Sequence, residues 1–261
     1  MTSSFLTKFK KLYEEKESVL CVGLDPAIPG QREKNIISSS DRLKFMHTII
    51  DQVAPYSIAV KPNRQYLIGL TTSEIKEITK KAKGLGLLTI MDHKLSDIGS
   101  TNDSALYWIN KEGFDGLTFS PFTGNTRSTS EKAHELGLGV IVLTLMSNPE
   151  AKWMITEKMK GKKVYQHFAE EVRKYADGAV VGATGHVTDN HIKEIKKEIG
   201  EKIILAPGVG AQGGDAEKLI KICGKELLIN VGRGIMYAEK PALNAEKYDK
   251  QFKEIMKNNE K

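Results

Sequence analysis

The sequence predicts an α/β protein: a single (β/α)8 barrel over residues 1–261 with an extra N-terminal helix. Three observations carry that expectation. Short apolar runs recur eight times along the chain. They are continuous rather than alternating, the mark of strands covered on both faces, as in a parallel sheet. Amphipathic stretches of helical length separate them, and no linker or low-complexity segment divides the chain. A doubly wound open sheet would call for a Gly-rich fingerprint after the first strand, and "GLDPAIPG" is not one.

The elements follow in order. "MTSSFLTKFKKLYEEKESVL" lacks a signal-peptide core and reads as an amphipathic helix. The first strand, "VLCVGLD" (19–25), leads to "SSDRLKFMHTIIDQV", whose opening serine and aspartate suit a helix N-cap. "SIAVKP" (57–62) leads to "TTSEIKEITKKAKGLG", which has capping-box spacing and ends in glycine. "LLTIMDHK" (87–94) precedes the helix "STNDSALYWINKEG", and "DGLTFS" (115–120) precedes "NTRSTSEKAHELG". After "LGVIVLTL" (138–145) comes "SNPEAKWMITEKMKGKK", longer than a connector needs to be. It reads as a lid, or as a solvated loop anchored by Trp153, ahead of the helix "KVYQHFAEEVRKYAD". Three more strands, "GAVVGAT" (178–184), "KIILAP" (202–207) and "ELLINVG" (226–232), alternate with "TDNHIKEIKKEIG", "GDAEKLIKICG" and "NAEKYDKQFKEIMKNNEK".

Composition excludes several classes. Hydrophobic content of 40% and charged content of 28% are ordinary for a globular domain. No apolar run approaches the roughly 20 residues that span a bilayer. Cys21 and Cys223 stand far apart without a CxxC pattern, so buried reduced thiols and a cytoplasmic protein are expected. The net charge of +6 does not point to nucleic acid: the lysines alternate with glutamates at helical spacing, and no basic run is interleaved with aromatics. A mild positive field suits an anionic substrate. The six histidines form no HxH or HExxH pattern, so no metal site is expected. Trp108 and Phe119 read as core or interface residues.

Barrel active sites gather at the C-terminal ends of the strands. Those ends carry Asp25, Lys61, Asp92 with Lys94, and Ser147. Residues two apart in a strand share a face, so Asp92 and Lys94 project together while His93 turns to the helical layer. Lys61, on the neighbouring strand, is in reach of Asp92, and Asp97 follows on the loop beyond. Alternating lysines and aspartates in one pocket keep all four ionised, because each charge has an opposite neighbour. The plain alternative is an ion-pair network that merely closes the barrel mouth. "APGVGAQGGD" (206–215) and "INVGRGIM" (229–236) follow strands seven and eight, where barrels hold phosphate. Glycines there, Gly232 among them, allow close backbone approach. Arg233 offers a charge fork and Gln212 a neutral donor.

In order along residues 19–240, "GLDP", "VKPN", "DHKLSDIGST", "MSNP", "VGAT", "APGVGAQGGD" and "VGRGI" resemble the orotidine 5′-monophosphate decarboxylases, with "DHKLSDIGST" matching their DxKxxDIxxT pattern. The resemblance implies a nucleotide substrate, no cofactor and no metal. It implies that Asp25 and Lys61 hold the ribose hydroxyls, that Asp92 lies against the substrate carboxylate, and that Lys94 protonates C6. Ser147 would contact the pyrimidine, while Gln212, Gly232 and Arg233 would bind the 5′-phosphate. Asp97 and Thr101 would reach the neighbouring site of a homodimer. Three readings stay open beside it. One is a magnesium-dependent sugar-phosphate decarboxylase or aldolase of the same barrel group, in which a glutamate usually stands where this chain has Lys61. The others are a Schiff-base aldolase and a non-catalytic nucleotide-binding barrel.

Overall fold

The computed structural model describes residues 4–31, 37–209 and 215–259. The chain begins with α1 (Ser4–Lys16), β1 (Leu20–Leu24), α2 (Arg42–Val53), β2 (Ala59–Pro62), α3 (Arg64–Leu67) and α4 (Thr72–Gly84). It continues through β3 (Leu88–Leu95), α5 (Gly99–Lys111), β4 (Gly116–Phe119), α6 (Thr126–Glu135) and β5 (Gly139–Leu145). A short α7 (Lys152–Ile155) and the strands β6 (Lys158–Met159) and β7 (Lys162–Lys163) come before α8 (Val164–Tyr175). The last part comprises β8 (Gly178–Val181), α9 (Asp189–Ile199), β9 (Ile203–Pro207), α10 (Ala216–Cys223), β10 (Leu227–Val231), α11 (Arg233–Met236) and α12 (Pro241–Asn259).

Strands β1, β2, β3, β4, β5, β8, β9 and β10 close into a parallel barrel in that order. All eight expected strands are present, shifted by three residues at most; the sixth stops at Val181 because "GAT" already belongs to the turn beyond it. Apolar burial has two layers. Inside the barrel lie Cys21, Ala59, Leu88, Ile90, Ile141, Val180, Ile203, Leu205 and Leu228, joined from below by Phe5, Leu6 and Phe9 of α1. The extra N-terminal helix therefore plugs one end of the barrel. A second cluster fills the space between strands and outer helices, with Leu20, Val22, Met46, Ile49, Leu117 and Val140 among its members.

The core-or-interface reading divides: Phe119 is fully buried, while Trp108 is half exposed, edge-on to Tyr107. The reading of Trp153 needs correction. Trp153 anchors nothing; it is 73% exposed, and Ile155 is the buried residue of its segment. The segment after β5 is structured as a 3-10 turn (Pro149–Ala151), α7 and the antiparallel β6–β7 hairpin. Cys21 and Cys223 are free and buried, as the sequence suggests. Among the described residues, no helix is long and apolar enough to cross a membrane.

Candidate active site

The site is built at the C-terminal ends of β2, β3 and β4. The β2–β3 register sets Val60 opposite Thr89, and a bridge beyond the strand joins Asn63 to Asp92. This brings Lys61 beside Asp92, with Lys61 Nζ donating to Asp92 Oδ2 at 2.5 Å. Lys94 Nζ donates to the other carboxylate oxygen at 2.6 Å. The β3–β4 register shifts between Met91 and Leu95, and Lys94 within that bulge has φ +53°. A non-glycine residue in the left-handed region is uncommon, and such strain concentrates at functional sites.

The electrostatics follow from burial and pairing. Burial alone would raise the Asp92 pKa, but the charges and hydrogen bonds of Lys61 and Lys94 overrule it and hold the carboxyl far below the usual carboxylate range. For Lys61 burial works downward, and attraction to Asp92 and Asp25 overrules it, so its ammonium is held above its ordinary value. Both groups are charged at neutral pH. Asp25 behaves differently. Burial pushes its carboxyl up despite Lys61, and its Oδ1 is buried without a hydrogen-bond partner among the described residues. The nearby Asn63 main chain pulls the other way, as the weakest of these influences. A buried acceptor left unpaired is costly, and Asp25 is among the residues that line a cavity at the mouth of the barrel.

Within one chain the pocket holds three of the four expected charges. Asp97 is exposed, its Oδ1 accepting from the N–H of Ile98 at 2.8 Å. Its backbone carbonyl is gripped by Asn102 Nδ2 (2.8 Å), Asn125 Nδ2 (2.8 Å) and Thr123 Oγ1 (3.3 Å). The loop is thus fixed by its main chain while the carboxylate faces outward. Thr101, also exposed, lies in the first turn of α5. Ser147 follows β5 and packs on "VGAT": a Cβ at Gly182 would stand 2.5 Å from Ser147 Cβ, so only glycine lets the two loops meet there.

Across the mouth, Asp25, Ala27, Gln31, Tyr66, Arg233 and Tyr237 line a cavity of about 320 Å³. Gly232 turns β10 into α11, which presents Arg233. Gln212 lies outside the described residues. A larger surface cleft, about 1050 Å³, is at the opposite end of the barrel beside α1. Its His134–Asp177 contact (2.8 Å) is tied into the frame, because the same Asp177 oxygen accepts from Val140 N. Sequence reading missed two contributors at the mouth, the Asn63 main chain and the Thr118 hydroxyl. The second had a faint signal as a polar residue in the apolar run of "DGLTFS". Among the described residues, no group of three or more His, Cys, Asp and Glu is placed to hold a metal ion, and both Asp92 oxygens are engaged by ammonium groups.

Fold and site together define a (β/α)8-barrel enzyme with a lysine–aspartate–lysine triad in its mouth. Residues 18–248 match the model of the orotidine 5′-phosphate decarboxylase / HUMPS family, and the chain belongs to that family. Similar proteins include the orotidine 5′-phosphate decarboxylase of Cupriavidus metallidurans, 31% identical over 91% of this chain and 90% of that one. The enzyme of the same name from Phocaeicola vulgatus is also 31% identical, over 93% and 96%. Among solved structures, the orotidine 5′-monophosphate decarboxylase of Methanocaldococcus jannaschii, in complex with the inhibitor BMP, is 27% identical with a TM-score of 0.72, over 90% of this chain and 98% of that one. A putative orotidine-monophosphate decarboxylase from Toxoplasma gondii, 24% identical, shares the fold with a TM-score of 0.82 over 98% of both chains.

Proposed function

We propose that this chain converts orotidine 5′-monophosphate to uridine 5′-monophosphate in de novo pyrimidine biosynthesis, without metal or cofactor. The observation that carries the proposal is the closed Lys61–Asp92–Lys94 triad. Loss of carbon dioxide leaves an electron pair on C6 that no ring carbonyl can accept. Fixed charge must stabilise it, favouring the state in which negative charge has moved from the carboxylate to carbon. Asp92 faces the substrate carboxylate, and its repulsion falls away as the C6–carboxylate bond breaks. Lys94 stabilises the developing carbanion and then gives its proton to C6.

Asp25 and Lys61 hold the ribose hydroxyls, and the unpaired Oδ1 of Asp25 is suited to accept one. Ser147 meets the pyrimidine, and Arg233, with Gly232 and Gln212, takes the 5′-phosphate across the cavity it shares with Asp25. Binding at the phosphate, remote from the reacting carbon, supplies energy to order the charged groups. The working unit is a homodimer in which Asp97 and Thr101 complete the neighbouring site. The outward Asp97 carboxylate supports this, as do the exposed Ile98, Tyr107, Trp108 and Phe122 on the segments after β3 and β4. Two buried free thiols suit a reducing compartment, and we place the enzyme in the cytoplasm.

A magnesium-dependent sugar-phosphate reaction is the second reading, since the family model is not confined to orotidine 5′-phosphate decarboxylases. Lys61 disfavours it, because an ammonium 2.5 Å from Asp92 repels a divalent cation at that carboxylate. The test is loss of the pyrimidine absorbance of orotidine 5′-monophosphate with purified chain in excess EDTA. Conversion to uridine 5′-monophosphate is expected. No conversion by folded, dimeric protein, or conversion that EDTA abolishes, would overturn the reading.

A further inference from the structure

The hydroxyl of Thr118 sits between the two halves of the triad. It donates to Asp92 Oδ1 at 3.0 Å and accepts from the backbone N–H of Lys94 at 2.9 Å. Lys94 Nζ reaches the same Asp92 oxygen at 2.6 Å, so a closed ring of hydrogen bonds runs from Lys94 main chain to Thr118, to Asp92, and back to the Lys94 side chain. Thr118 is 2% exposed and lies on β4, opposite Asp92 in the register that pairs Ile90 with Gly116 and Met91 with Leu117.

That register fails just beyond Met91, where Lys94 turns left-handed. The ordinary β3–β4 ladder cannot take up the Lys94 N–H there, and the Thr118 hydroxyl takes it up instead. A hydroxyl has one proton to give and lone pairs to accept with, and here it is used in both directions. A buried N–H without that acceptor would cost free energy, and the strained turn would lose its support.

We propose that Thr118 is a positioning residue for the reaction: it fixes the Asp92 carboxylate and the Lys94 main chain relative to each other, without touching substrate. The inference rests on the decarboxylase reading above. Catalysis by fixed charges depends on geometry, and a misplacement of about 1 Å costs on the order of a hundredfold in rate. Valine is close to threonine in shape and lacks only the hydroxyl, while serine keeps it.

The experiment compares wild type, Thr118→Val and Thr118→Ser by orotidine 5′-monophosphate turnover and by hydrogen exchange of the Lys94 amide, measured by NMR. Thr118→Val should lower kcat by about 10- to 100-fold with KM within about threefold, and Thr118→Ser should recover most of the rate. The Lys94 amide should be protected in wild type and exchange at least about tenfold faster in Thr118→Val. Wild-type kcat in Thr118→Val, or a serine variant as slow as the valine one, would overturn the proposal. An unprotected Lys94 amide in wild type would do the same, whether or not the valine variant folds. If wild type itself turns over no substrate, the decarboxylase reading fails, and the exchange data alone decide whether Thr118 holds Lys94.

Discussion

Two buried aspartates, Asp92 on β3 and Asp115 just before β4, mark the two ends of the barrel, and each meets two lysines and a threonine. At the N-terminal end, Asp115 Oδ1 takes Lys8 Nζ (2.9 Å) and Lys83 Nζ (3.1 Å), while Oδ2 takes the N–H and hydroxyl of Thr89 (3.0 and 2.8 Å). At the C-terminal end, Asp92 takes Lys61, Lys94 and Thr118. In each cluster the aspartate and threonine are 26 residues apart, the offset of the β3–β4 register. The ingredients are the same, and their mounting differs. The Asp115 lysines come from α1 and α4 and bind those two helices to the sheet. Below them α1 seals the barrel, Phe5 filling the space that a Cβ at Gly139 would need. The Asp92 lysines come from the strands themselves, one buried and one on a left-handed backbone, and beside them Asp25 keeps an oxygen without a hydrogen-bond partner among the described residues. A charge cluster that uses up its bonding capacity on the frame holds a fold together. One that keeps strain and an open acceptor at the mouth is built for a ligand.

Substitutions separate the two ends. The largest effect belongs to Asp92→Ala, which should cut turnover by about a thousandfold or more, since it removes the group proposed to face the substrate carboxylate. It should also lower the melting temperature, because it strands the buried Lys61 ammonium. Arg233→Ala should act mainly on binding, raising KM by about 10- to 100-fold with a smaller change in kcat; an unchanged KM would remove Arg233 from the phosphate site. Asp115→Ala should do the reverse of the mouth variants. It leaves Thr89 N–H unpaired and should cost about 2 kcal/mol, or roughly 5 °C in melting temperature, while kcat holds. A loss of kcat at constant stability would refute the division of roles.

The smallest effect is on acid stability. Burial pushes the Asp115 pKa up, but its bonds to Lys8 and Thr89 and the charge of Lys83 bring it below the ordinary value, as the lysines do for Asp92. A depressed folded-state pKa stabilises the protein above the unfolded value, near 4, and that stability drains away as pH falls through the folded pKa. Melting temperatures from pH 7 to 3 should therefore fall less steeply in Asp115→Asn than in wild type. Equal slopes would mean that the carboxylate contributes no such linkage.

The strand pattern was legible because barrel strands are continuous apolar runs, and their ends named Lys61, Asp92, Lys94 and Asp25 directly. The pairing of Lys61 with Asp92 was legible too, from neighbouring strands and the rule that side chains alternate. The outward Asp97 was not legible from spacing alone, because two of the three side chains that grip its carbonyl, Thr123 and Asn125, come from 26 and 28 residues further along the chain. Neither was the left-handed Lys94, since nothing in "DHKLSD" favours positive φ at a lysine. It arises where two strands lose register, and Thr118 acquires its part only from that irregularity. The Asp115 cluster escaped for a similar reason, as its lysines reach it from helices far away in the chain.

The central claim is that Lys94 performs the chemical step at the open end of the barrel. The most direct test is orotidine 5′-monophosphate turnover in EDTA by wild type and Lys94→Ala, with uridine 5′-monophosphate affinity and melting temperature measured on the same samples. The account predicts conversion by wild type and a loss of about a thousandfold or more in the variant, with nucleotide affinity and stability largely kept. Wild-type turnover in Lys94→Ala, or a loss that merely tracks unfolding, would contradict it.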